Sequence, residues 1–216
     1  MILTGTILCS FSLAQVPVSK EPRHHDIFEN GHVRILDVHI PPGDTSMIHI
    51  HATPSVFLIL TNTVKVGSQV ISEEKRAKLN TTEDENVWFE GFYKQPRIHR
   101  VWNSDTTEYH VMDIELTNKN YIAIDPPLQQ EGFTLLFDEK PVRGYRVNPG
   151  PSVKISLPAR KADILIVCLS DSADPVQINE KSFNKKGDWL YIKSGNTILI
   201  KGAGTSKTAF GFFELR

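Results

Sequence analysis

Apolar and polar residues alternate with a period of two through most of the chain, in short runs rich in β-branched and aromatic side chains. The clearest are "HVRILDVHI" from His32, "SVFLIL" from Ser55, "NVWFEGF" from Asn86, "RIHRVW" from Arg97 and "YHVMDIEL" from Tyr109, each bounded by Gly, Pro, Asn or Asp. Strand side chains alternate faces, so this pattern predicts antiparallel strands in an all-β sandwich or barrel. Only "EEKRAKL" has much helix propensity. It lies in a polar insert over residues 72–86, expected to be a solvent-facing loop or edge.

A Pro pair and polar residues in "IDPPLQQEG", residues 124–132, interrupt the pattern and mark a linker. The chain repeats itself on either side. "VRILDVHIPPG" from Val33 matches "VRGYRVNPGPS" from Val142, and "VFLILTN" from Val56 matches "ILIVCLSDS" from Ile164. The segment ending at Leu116 lies over the one ending at Leu215, with His99 facing Ile198 at the same distance from those ends. Two copies of one β unit follow, expected over residues 24–118 and 133–216.

Composition narrows the partners. With 24 basic and 25 acidic residues among 216, the net charge is −1, which leaves no general field for nucleic acid or an anionic surface. A small molecule or another protein is the expected partner. The opening "MILTGTILCSFSLAQ" is apolar and ends in Ser12-Leu13-Ala14, as a secretory signal cleaved after Ala14 would, although it has no basic start. The alternative is a buried first strand. Residues 1–14 are too short an apolar run to span a bilayer as a helix, and a periplasmic or secreted location follows from the signal reading. Cleavage would leave Cys168 as the single cysteine, inside the apolar run "DILIVCLS", where it reads as a small buried hydrophobe.

Candidate chemistry lies in histidines. His49 and His51 stand two apart at a strand entrance, so both point to one face with Cα atoms about 7 Å apart, and two imidazoles so placed can share one metal ion. His99 lies 48 positions beyond His51, in a second strand. Only tertiary structure could join it to the pair. Gly43 followed by His49-Ile50-His51, a strand and a turn at Asn62 resembles the first motif of the cupin superfamily, and His99 with Asn103 resembles the second. With the duplication, the chain looks like a double cupin: two antiparallel jelly-roll barrels in tandem.

That resemblance implies that His49, His51 and His99 line the first barrel as ligands of a divalent transition metal: iron, nickel, manganese, zinc or copper. Two departures matter. The slots where the family's first motif carries glutamate hold Ser55 and Val56, and Pro96 replaces a turn glycine. The implied first shell is three neutral histidines whose ion keeps its full charge, favouring an anionic or bidentate substrate. Three-histidine cupins include dioxygenases, so the resemblance implies a metal-dependent oxygenase acting on a small molecule. A non-catalytic barrel that binds a small ligand or sugar is the alternative, separated by ligand retention without turnover.

His110, which shares a face with Met112, Ile114 and Leu116, is either a donor behind that site or a satisfied core histidine. His24 and His25 precede the first strand, where exposure is expected. Trp88, Phe89 and Phe92 could wall a pocket or fill a core. In the second copy, Leu157, Ala159 and Ile198 take the places of His49, His51 and His99. That copy should be a metal-free barrel filled with aliphatic side chains, leaving one ion per chain and a sheet face for packing or homodimer contact.

Protein recovered from the producing cells should begin at Gln15 and be found outside the cytoplasm. Amino-terminal sequencing checks this, and Met1 on soluble cytoplasmic protein would remove the export reading.

Overall fold

A computed structural model of the chain describes residues 15–71, 76–78, 86–202 and 208–216. The leader expected over residues 1–14, and most of the polar insert, lie outside the described residues. The first copy contains β1 (Val16–Pro17), β2 (His24–Glu29), β3 (Val33–Ile40), β4 (His49–His51), β5 (Ser55–Ile59), β6 (Val66–Val70), β7 (Arg76–Lys78), β8 (Val87–Glu90), β9 (Arg97–Asn103) and β10 (Tyr109–Leu116). The second contains β11 (Phe133–Asp138), β12 (Val142–Val147), β13 (Lys154–Leu157), β14 (Asp163–Cys168), β15 (Val176–Ile178), β16 (Lys181–Phe183), β17 (Trp189–Ile192), β18 (Ile198–Lys201) and β19 (Phe210–Leu215). Within the insert, β7 pairs with β6 at a sheet edge. Among the described residues the one helical element is a 3₁₀ turn at Val18–Lys20.

Strand order shows the duplication. The sheet β2-β3-β10-β5-β8 is repeated as β11-β12-β19-β14-β17, and β1-β4-β9-β6-β7 as β13-β18-β15-β16, without a partner for β1. Even the irregularities recur: β2 bulges between Asp26 and Phe28, and β11 between Leu135 and Phe137. An ion-paired ladder is shared as well. Arg34 meets Glu115 at 2.9 Å, and Arg143 meets Glu214 at 3.0 Å, each across the same pair of central strands.

Alternation along the central strands assigns their faces. Leu36, Val38, Ile40, Tyr109 and Val111 point into the first barrel, while Val33, Ile35, Met112 and Ile114 join Leu165, Val167 and Phe213 in a core between the barrels. A third core fills the second barrel. It mixes aliphatic residues with Tyr145, Phe183, Phe210 and Phe212, so the expectation of a purely aliphatic filling is corrected. Aromatic rings supply the volume that the repeat unit encloses. Cys168 is a free, fully buried thiol whose pKa burial pushes up to about 11.

Ile198 is fully buried in that core, so Ile198→Ala should cost ~2–5 kcal/mol through lost burial and the cavity left behind. Urea unfolding measures it. A loss below ~1 kcal/mol would show that the second interior closes around the missing atoms.

Candidate metal centre

The register of β4 and β9 sets His49 directly opposite His99. His51 follows two residues on, on the same face. The His99 ring lies 4.5 Å from that of His49 and 5.0 Å from that of His51, centre to centre. The three histidines singled out in the sequence are therefore brought together inside the first barrel. His49 and His51 are 1% and 3% exposed, closed off from solvent.

A fourth histidine joins them. His24, expected to be exposed, is buried at the start of β2, with its ring 4.7 Å from His49 and 6.3 Å from His51. One nitrogen from each of His24, His49 and His51 lies within 4.8 Å of the others. The cause is local: the 3₁₀ turn at Val18–Lys20 delivers Glu21 into the interior, and β1 pairs in parallel with β4, carrying the segment across the barrel. Neither feature follows from strand periodicity. His25, the neighbour, is exposed as expected.

Three of the four imidazoles have a hydrogen-bond partner at Nδ1. His24 Nδ1 donates to Glu21 Oε2 at 2.6 Å, and His49 Nδ1 donates to the Met47 carbonyl at 2.9 Å. His99 Nδ1 lies 3.0 Å from Ser68 Oγ, whereas His51 Nδ1 stands 3.4 Å from Asp113 Oδ2 without a hydrogen bond among the described residues. Such partners fix ring orientation and leave Nε2 as the free ligand atom. The Nε2 atoms of His49 and His51 face each other at 3.1 Å. His99 Nε2 is buried with no hydrogen-bond partner among the described residues. Unpartnered buried nitrogens aimed into one space are costly unless something accepts their lone pairs, so this donor set fits a divalent transition ion.

Two carboxylates correct the inference of an uncompensated ion. Glu21 and Asp113 are both 1% exposed, and each stands behind one of the histidines. Burial alone would raise the Glu21 pKa, but hydrogen bonds from His24 and from the Met47 and Arg23 backbone N–H groups outweigh it and hold the group near 2. Glu21 is therefore a buried anion at neutral pH. Asp113 sits at a strand position where its counterpart in the repeat is Phe212. Neither acid occupies the slot after His51 where the motif places one.

The remaining walls are apolar, around a cavity of about 80 Å³. Phe57 and Trp88 stack at 5.3 Å on one side, and Phe92 stacks on His51 at 5.6 Å. Phe92 has a φ of 51°, which an L-residue adopts only under constraint. Phe89 points the other way, into the core between the barrels. Arg97, opposite His51 in the ladder, brings a guanidinium to the cavity, 5.6 Å from the Phe92 ring and paired with Glu90 at 3.1 Å. The Tyr109 phenol lines the same space, and burial pushes its pKa up, so it stays protonated. His110 does not reach the site. Its ring bonds Asp37 on the opposite face of the sheet.

No protein-family model matches the sequence, and no curated protein does. Solved structures match in shape. A bacterial pirin from Escherichia coli, YhhW, in complex with nickel(II), superposes with a TM-score of 0.60 at 15% identity, over 89% of this chain and 90% of that one. A salicylate 1,2-dioxygenase from Pseudoaminobacter salicylatoxidans with gentisate gives 0.60 at 8% identity, over 87% of this chain and 70% of that one. A cupin 2 conserved barrel domain protein from Leptotrichia buccalis gives 0.53 at 11%, over 95% of this chain and all (100%) of that one.

The chain has the cupin fold. Only one of its two cupin barrels holds the histidines. In the other, Leu157 stands opposite Ile198 as His49 stands opposite His99, and Phe133 and Phe212 occupy the places of His24 and Asp113. Ala159, aligned with His51, lies outside the strand and is exposed, so it does not line that interior as expected.

Burial, with the neighbouring His51 and His24, lowers the pKa of His49 to about 3, and burial likewise depresses that of His99. Both stay neutral in the folded metal-free chain, whereas the unfolded chain takes up protons below about pH 6.5. Their stabilising effect is complete above that pH and declines as pH falls, by about 1.4 kcal/mol per unit for each histidine. His39, whose pKa is raised, acts in the opposite sense over this range. The contrast with His49→Leu isolates one contribution: urea midpoints between pH 7.5 and 5.5 should fall less steeply in the variant. Parallel slopes would mean that His49 is not held neutral.

Proposed function

We propose that the protein binds one mononuclear divalent transition ion in the first barrel through His49, His51 and His99, with His24 as a fourth ligand, and uses it on a small anionic molecule. The observation that carries this reading is the gathering of four imidazoles in one space, three of them held by a hydrogen bond at Nδ1, with ligand atoms of His24, His49 and His51 within 4.8 Å of one another and the His99 ring against those of His49 and His51. An ion with six positions would keep two for a chelating substrate. The buried Glu21 anion offsets part of the ion's charge, so affinity does not require a carboxylate bound to the ion itself. The reaction class that fits best is oxygenase-like. When bound, such an ion supplies Lewis acidity at its open positions and, as iron, redox chemistry.

The chain's own groups have definable parts. Arg97 offers a cation to a substrate carboxylate at the cavity edge, in competition with Glu90. Tyr109 offers an O–H to an oxygen inside it. Trp88 and Phe57 exclude water and give an aromatic ring apolar surfaces to meet, which favours a compact planar anion. A neighbour of the same fold has been solved with gentisate and another with nickel(II), and both ligand types suit this donor set.

His51→Ala and His24→Ala should each lower occupancy of the barrel site about 10-fold or more while the far-ultraviolet spectrum and melting of the barrel persist. Elemental analysis of purified protein reads the occupancy. Unchanged metal content in both variants would sink the ligand assignment. The iron-loaded protein should consume oxygen with small hydroxylated aromatic acids. Tight retention of such an acid with no oxygen uptake would favour the non-catalytic binding barrel instead.

A further inference from the structure

The ladder between β3 and β10 carries a second histidine cluster on its other face. Val38, Tyr109 and Val111 point inward to the four-histidine cavity, and the alternate residues Asp37, His39 and His110 point outward, near the seam between the barrels. The geometry points to a second divalent-metal site on the outer face of the first barrel, formed by Asp37, His39 and His110, taking zinc or an ion of similar preference.

His39 and His110 are directly opposed in the register, and their rings stack at 4.2 Å with 17° between planes. Asp37 precedes His39 by two residues and shares its face. The carboxylate reaches both rings: Oδ1 lies 2.6 Å from His110 Nε2, and Oδ2 lies 3.1 Å from His39 Nε2. All three residues offer a ligand atom within 4.8 Å of the others. Ligands around tetrahedral zinc stand roughly 3.3 Å apart, so the ligand atoms are already near the required spacing, and the two stacked rings need to turn so that both lone pairs meet the ion.

Two further features suit coordination. His39 Nδ1 meets Glu108 Oε2 at 3.0 Å, the outer carboxylate that orients a metal-binding imidazole and strengthens its other nitrogen as a ligand. Asp37 and Glu108 together would neutralise a dipositive charge. The side chains of Asp37, His39 and His110 are 26%, 32% and 19% exposed, which leaves a path for the ion and room for water as a fourth ligand. Gly187 closes the site from the second barrel, where an added Cβ would lie 3.4 Å from the His110 ring. The expected stoichiometry then rises from one ion per chain to two, both drawn from the first copy. The two sites share no residue.

Zinc alone, titrated into the metal-free full chain against a chromophoric chelator that holds free zinc in the micromolar range, should bind at two equivalents. The His49→Ala/His51→Ala variant should keep one of them, and so should His39→Ala/His110→Ala. Asp37→Asn, which preserves shape, serves if the double variant does not fold, and should weaken the second equivalent about 10-fold or more. A single equivalent in the wild-type chain that vanishes with His49 and His51 would overturn the proposal. So would a second equivalent that survives in both the His39→Ala/His110→Ala and Asp37→Asn chains. Loss confined to the outer pair leaves the barrel site standing, so the two assignments fail separately.

Discussion

Hydrogen bonding at the Nδ1 of three clustered imidazoles, those of His24, His49 and His99, is the interaction on which the first barrel's site depends. A histidine with both nitrogens free can rotate, change tautomer or take a proton, and four of them in one closed space would repel as cations. Here Glu21, the Met47 carbonyl and Ser68 each hold one ring by the same atom, and Phe92 stacks on the fourth, His51. The bonded rings are oriented by partners that come from different elements: the 3₁₀ turn, the approach to β4, and β6. Folding of the barrel and assembly of the ligand set are thus one event.

The second barrel shows what the same scaffold does without that requirement. Its strand order, its bulge and its arginine–glutamate ladder repeat those of the first. Phe133, Leu157, Ile198 and Phe212 fill the places of His24, His49, His99 and Asp113, and the interior packs as an ordinary core. Burying one such side chain contributes about 1.5–3 kcal/mol, whereas burying an unpartnered imidazole costs free energy. The first barrel therefore gives up core stability at four positions that the second keeps. Packing between the sheets, through Met112, Ile114, Leu165 and Phe213, sets the better-filled copy against the site-bearing one.

Much of this was legible in the sequence, and the limits have physical causes. The period-two runs and the repeat revealed an all-β tandem architecture because strand alternation survives wherever one face is buried. His49 and His51 were legible as a pair for the same reason, and His99 through the spacing of the two motifs. His24 was not, because a short turn and a parallel bridge bring it in, and neither has a periodicity. Asp113 was hidden inside "YHVMDIEL", a strand buried on both faces, where alternation distinguishes the faces but not which core each meets. The same ambiguity left His110 open between the metal cavity and the outer face. A carboxylate was sought next to the histidines along the chain, whereas the fold supplies Glu21 and Asp113 from elsewhere.

The central claim is that a single ion in the first barrel is bound through four histidine Nε2 atoms. Anomalous diffraction from crystals of the metal-loaded protein, collected at the absorption edge of the bound metal, tests it most directly. The account predicts a peak within about 2.0–2.1 Å of Nε2 of His24, His49, His51 and His99, the bond length usual for imidazole on such an ion. A barrel ion bound through any Nδ1, an ion that leaves His24 on its bond to Glu21 alone and outside coordination, or no peak in the barrel would contradict it.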